Sequence, residues 1–149
     1  FEILKVDHDR LASLFTTIQN ASDPTQAEEA FTTLYKLLMV HANTEEAVFY
    51  PTAAQESEAS RFIETNLQEH AEAKELAELI RSTGVNTDEG KATLKELQAA
   101  LENHVREEEE YVFKAVESEM EPEQLQALAN QVLAKKQELA KQYGLQSVV

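Results

Sequence analysis

Four histidines and two glutamates recur along this chain at spacings that suit a metal centre. His41 is followed four residues later by Glu45, and His104 four residues later by Glu108. A lone histidine precedes each pair, His8 in the first half and His70 in the second. The offset between halves is 62 residues from His8 to His70, and 63 from His41 to His104 and from Glu45 to Glu108. The flanks repeat too. Asp7-His8 answers Glu69-His70, Leu14 and Ile18 answer Leu76 and Ile80, and Glu45-Glu46-Ala47-Val48-Phe49 answers Glu108-Glu109-Glu110-Tyr111-Val112. Imidazole and carboxylate donors without thiolates suit iron, manganese or zinc. Six such groups are too many for one ordinary zinc ion. Two ions bridged by Glu45 and Glu108 would lie about 3.5–4 Å apart, near enough to engage one small ligand together. His8 and His41 would serve one ion, His70 and His104 the other.

To converge, these residues need helices, and the composition supplies them. The 149 residues include only three Gly and three Pro, with long Ala/Leu/Glu/Lys/Gln stretches that favour helix. Asp23 offers an N-cap with Pro24 in the first turn; Thr87 or Asn86 caps a later helix, Gly84 ends one, and Pro122 starts another. Five helices follow, over about residues 2–20, from Pro24 to a kink or stop near Pro51, and over about 58–82, 87–117 and 122–143. Short connections between long neighbours predict an all-α, up-down-up-down four-helix bundle. The bundle takes in about residues 3–117 and carries an additional C-terminal helix, all within a single domain, 1–149. The stripe Leu125, Leu128, Val132 and Leu139 on that last helix is expected to cover the bundle, with a homodimer contact as the other use for it.

Helical phase turns the candidate ligands inward. The stripes are Leu4, His8, Leu11, Phe15, Ile18 on the first helix and Leu34, Leu38, His41, Glu45, Val48 on the second. The third carries Ile63, Leu67, His70, Lys74, Ala77, Ile80, and the fourth Leu94, Leu97, Leu101, His104, Glu108, Tyr111. Spacings of three and four define one face of a helix. At about 1.5 Å per residue, His8 and His41 lie about 18 and 25 Å from the turn that joins their helices, agreeing to about one helical turn. A lone histidine on an apolar stripe is more often a hydrogen-bonded core residue than a ligand. Four of four, with two glutamates one turn away, argue for metal, because Glu is rarely buried without a partner.

Several classes are excluded or disfavoured. Lys and Arg number 13 against 28 Asp and Glu, a formal charge of −15, which repels nucleic acid and anionic membranes. The absence of cysteine removes disulfides and iron–sulfur ligands. No apolar run approaches the length of a membrane span, no signal-peptide pattern opens the chain, and a cytoplasmic location is expected. The residues three before the histidines are Lys5, Leu38, Leu67 and Leu101. None is Glu, so the Glu-x-x-His pattern of ferritin-like di-iron bundles is absent.

Taken together, Asp7-His8, His41-x-x-x-Glu45-Glu46 followed by Phe49-Tyr50-Pro51, Glu69-His70 and His104-x-x-x-Glu108-Glu109 resemble the hemerythrin family, specifically its HHE cation-binding branch. The resemblance implies two carboxylate-bridged iron ions, closed by an oxo, hydroxo or water bridge, that bind dioxygen, peroxide, nitric oxide or an azide-like anion. His8, His41, His70 and His104 match its terminal ligands, Glu45 and Glu108 its bridges. The oxygen-carrying members place a second histidine four residues after the first on the third helix; here that position is Lys74, which has no lone pair for a metal when charged. The expectation is an open site on one iron, with Lys74 or Tyr111 lining the ligand pocket. Two functions then compete: oxygen sensing, binding or iron handling without turnover, and a di-iron enzyme that consumes peroxide or nitric oxide. The chain is expected to act as a monomer or homodimer.

Overall fold

The structure, a computed structural model, describes residues 1–145; the last four residues of the predicted domain, 146–149, lie outside the described residues. Helix α1 (Glu2–Gln19) is followed by α2 (Pro24–Thr44), which runs through a π-helical turn (Glu45–Phe49) into the short α3 (Tyr50–Ala53). Then come α4 (Ser60–Thr83) and α5 (Asp88–Glu107), and α5 passes through a second π turn (Glu108–Val112) into α6 (Phe113–Glu119). Helix α7 (Pro122–Tyr143) completes the element order. Among the described residues there is no strand. The molecule is the up-down-up-down bundle with an added helix: α1 packs along α2, α4 along α5, and α7 lies against α2 and the first π turn.

Local chemistry starts and stops these helices where expected. The Asp23 carboxylate accepts from the Gln26 N–H at 2.8 Å, and the Thr87 hydroxyl accepts from the Gly90 N–H at 2.9 Å. Glu121 and Gln124 form a capping box that opens α7. Gly84 closes α4 with φ +95°, a conformation that glycine adopts without steric cost.

The second helix stops close to Pro51, as expected. Pro51 itself falls in the first turn of α3, just past the π turn, where a missing N–H disrupts least, and the helix ends two residues later at Ala53. The two π turns also change the phase. The Tyr50 N–H bonds back to the Glu45 carbonyl, and the Phe113 N–H to the Glu108 carbonyl, a five-residue closure in each case. Each turn thus holds one residue more than an α turn, and the buried stripe moves along by one. Val48 is only half-buried and Tyr111 is 53% exposed, while Phe49, Tyr50, Val112 and Phe113 are buried instead.

Two apolar clusters flank a polar layer. One, towards the turns that join α1 to α2 and α4 to α5, includes Phe15, Phe31, Leu34, Ile80 and Leu97. The other includes Leu4, Phe49, Ile63, Phe113 and, from α7, Leu128 and Val132. The buried residues His8, His41, Glu45, His70, His104 and Glu108 belong to neither. The stripe on α7 does cover the bundle, through Leu128, Val132 and Ala140, with Leu125 and Leu139 half-buried.

The turn between α4 and α5 sets the register of His70 against His104, and it has no spare room. A Cβ built on Gly90 would stand 1.8 Å from the Gly84 carbonyl oxygen. Gly90→Ala is therefore expected to destabilise the fold by about 1–3 kcal/mol in a denaturant titration. A midpoint at the wild-type value would show that the turn can open at no cost.

Candidate metal centre

Each of the four bundle helices brings one histidine to the polar layer, and all four imidazoles turn Nε2 to its centre. His8 and His41 Nε2 atoms are 3.2 Å apart, as are those of His70 and His104. Glu45 Oε1 lies 3.1 Å from His41 Nε2 and 3.2 Å from His70 Nε2. Glu108 reaches across as well, with Oε1 3.2 Å from His8 Nε2 and Oε2 3.4 Å from His104 Nε2. Both glutamates therefore touch one histidine of each pair.

The far side of every ring is held by a carboxylate. Nδ1–H donates from His8 to Glu109 at 2.6 Å, from His41 to Asp7 at 2.9 Å, from His70 to Glu46 at 2.9 Å and from His104 to Glu69 at 2.9 Å. This arrangement fixes each tautomer with its Nε2 lone pair facing inward, as metal-bound histidines require. Sequence reasoning did not assign these four carboxylates a role. Their signal was present in the repeat, since Asp7-His8 and Glu69-His70 correspond, as do Glu45-Glu46 and Glu108-Glu109.

Tyr50 is a further residue that phase alone missed. Its hydroxyl donates to Glu108 Oε2 at 2.6 Å and lies 3.0 Å from His70 Nε2. Glu45 Oε1 is 3.3 Å from it and His104 Nε2 3.5 Å. A straight α-helix would have turned this side chain away; the π turn brings it in. Its counterpart in the repeat is Phe113, whose ring stacks on His8 at 6.0 Å.

Lys74 and Tyr111, the two expected pocket residues, stand elsewhere. Lys74 Nζ donates to Asn43 at 2.8 Å and to Glu46 at 2.9 Å, so it touches the carboxylate behind His70 and not the converging donors. Tyr111 stacks on Phe62 at 5.7 Å at the surface.

The charged groups of this layer act strongly on one another. Burial works against a charge on His104, but hydrogen bonds to Glu108 and Glu69 outweigh it and raise its pKa to about 10. His41 is likewise raised well above its usual value, burial notwithstanding, by Glu45 and Asp7. Burial opposes ionisation of Glu108, and His104 and His8 overcome it to hold that carboxyl well below its usual range. For Tyr50, burial and the charges of Glu45 and Glu108 all act upward. Glu45 Oε2 remains buried without a hydrogen-bond partner, as does the Asn66 amide one turn before His70, while Glu108 Oε1 has only the His8 ring beside it.

A pair of cations fits these groups. His8, His41, Glu45 and Glu108 form one set of converging donors and Glu45, His70, His104 and Glu108 a second, with the donor atoms of each within 4.8 Å of one another. Cations would take the four Nε2 lone pairs and the glutamate oxygens together, Glu45 Oε2 among them.

A helical bundle with a buried His/Glu cation site at its centre is the class of protein that this fold and site define. Residues 1–116 match the hemerythrin HHE cation binding domain, and the chain belongs to that family. A DNA nickase from Nostoc sp. is 31% identical over 150 residues, an alignment that covers 98% of this chain and 41% of the nickase. The chain thus spans about two fifths of that relative's length. No solved structure matches it.

The proton on His104 has a measurable consequence. With a folded pKa of about 10 against the ordinary 6.5, His104 contributes stability that is complete below pH 6.5 and lost as pH rises through its folded pKa. Chelator-stripped protein should melt at progressively lower temperature across that window. Protein loaded with a divalent metal, which displaces the proton, should show no such loss. Parallel melting curves for the two forms would mean that metal does not bind through His104.

Proposed function

We propose that the protein is a non-haem di-iron protein that binds dioxygen or a related small ligand, for oxygen sensing or binding or for iron handling. The observation that carries this reading is the sharing of Glu45 and Glu108 by both donor sets, because carboxylates common to two sites hold two ions close together. Iron is favoured over zinc because the donors are all nitrogen and oxygen and number six or more around a paired site. Bound iron would supply the one-electron and dioxygen chemistry that side chains lack.

The two halves are built to be inequivalent. Beside His70 and His104 stands the Tyr50 hydroxyl, which as a phenolate would take the place that a second histidine holds in the oxygen carriers. Beside His8 and His41 stands Phe113, which offers no donor. A narrow cavity of about 70 Å³ between α1 and α5 also reaches His8, lined by Leu11, Ala12, Phe15, Leu101 and Val105, with Gln98 and Glu102 beside it. An apolar cavity favours a neutral molecule over an anion. We therefore assign the exogenous ligand to the His8 and His41 side.

Tyr50 also favours a second reading, a di-iron enzyme that consumes peroxide or nitric oxide. A buried phenol 2.6 Å from Glu108 is placed to hold or pass a proton during turnover. The nicking named for the Nostoc relative belongs to a much longer protein. A formal charge of −15 opposes contact with a phosphate backbone, and our reading gives this domain no DNA contact.

Metal analysis of protein purified without added metal should find about two iron ions per chain, as in di-iron bundles generally. The ferric form should show a visible phenolate-to-iron band that Tyr50→Phe abolishes while keeping both ions. One zinc, or no metal in folded protein, would overturn the di-iron reading. Steady peroxide consumption with a reductant, lost in Tyr50→Phe, would select the enzyme.

A further inference from the structure

Helix α7 lies outside the four-helix bundle, yet it sends a lysine to the centre. Lys136 is fully buried, and its Nζ donates to Asp7 Oδ1 at 2.5 Å. The other oxygen of the same carboxylate, Oδ2, accepts from His41 Nδ1 at 2.9 Å. A continuous chain of charge-assisted bonds therefore runs from α7 through α1 to a candidate ligand on α2. Lysine is almost never fully buried unless paired, and well-packed apolar residues in place of a buried ion pair often leave stability unchanged or higher. A lysine on the apolar stripe of α7, between Val132 and Ala140, thus needs a reason other than packing.

The reason lies in Asp7. Of the four carboxylates behind the histidines, Glu46, Glu69 and Glu109 keep 29%, 19% and 34% of their side chains exposed, whereas Asp7 has 0%. Water can share the charge of the first three. Asp7 has no such help: Lys136 holds its Oδ1 and His41 its Oδ2, and without the lysine an uncompensated buried carboxylate would swing away towards water. Its Oδ2 would then no longer accept from His41 Nδ1–H, and the tautomer of His41 would be free to reverse.

We propose that Lys136 is a positioning residue for the metal centre: by holding Asp7 in place it fixes His41, which makes α7 a working part of the site. The inference rests on the metal-binding reading above, and the test separates the two. Cobalt(II) titrated into the stripped full chain, followed by its visible absorption, should fill two sites in the wild-type protein. Lys136→Met should weaken one of them by about 10–100-fold, the usual effect of losing an outer partner of a ligand, while the other stays within about twofold.

A double variant, Asp7→Asn with Lys136→Met, removes both buried charges and leaves an amide oxygen to accept from His41. It should fold even if Lys136→Met alone does not, and should bind cobalt more tightly at the affected site than the single variant does. Unchanged cobalt binding in folded Lys136→Met would overturn the role of Lys136 and leave the metal reading intact. A double variant that binds no better than the single one, or that fails to fold while Lys136→Met also fails, would assign Lys136 to helix packing. Failure of the wild-type chain to bind cobalt at all would overturn both readings.

Discussion

Four imidazoles and two carboxylates occupy one layer in the middle of an apolar bundle, and the rest of the structure answers to the cost of putting them there. Breaking a single buried pair in such a place typically costs about 3–5 kcal/mol, so no member of the layer can be misplaced cheaply. None can be satisfied from its own helix alone. His41 needs Asp7 from α1, His70 needs Glu46 from the π turn after α2, His104 needs Glu69 from α4, and His8 needs Glu109 from the π turn after α5. The layer therefore forms only when all four helices are in register. The caps at Asp23 and Thr87 and the tight turn at Gly84 and Gly90 matter chiefly because they set that register.

The same dependence explains how the halves interlock. The acidic residue before each lone histidine orients the paired histidine of its own half. The acidic residue after each candidate bridging glutamate orients the lone histidine of the other half. Neither half could hold its histidines by itself. The duplication is thus closer to a two-fold assembly fused in one chain than to two independent metal-binding units.

Both π turns begin at the glutamate that serves as a candidate bridge. π turns cluster at functional sites because the extra residue redirects a side chain without ending the helix. Here they let the glutamate and the aromatic residue five positions later face the same centre. Because the repeat carries tyrosine at one such position and phenylalanine at the other, one geometric device produces two chemically different donor sets. The asymmetry extends outward, where Lys136 on α7 supports only the Asp7 corner of the layer.

Much of this was legible in the residues. The helices, their caps, the inward phase of His8, His41, Glu45, His70, His104 and Glu108, and the pairing of the two halves all follow from local periodicity and repetition, which a chain expresses one turn at a time. The inward place of Tyr50 and the outward one of Tyr111 escape the sequence for one physical reason. A stripe extrapolated at 3.6 residues per turn cannot anticipate a five-residue turn, and that turn carries Tyr50 in and Tyr111 out. Lys74 sat on the correct face, but its flexible chain reaches Glu46 and Asn43, partners that only the packing of α2 against α4 brings near. Lys136 was hidden for the opposite reason. A lysine on an apolar stripe looks like a solvated interruption until tertiary structure shows a buried carboxylate 129 residues away in sequence. Which residues could bind a metal was a local property of the chain; which groups hold them in place was decided by contacts between helices.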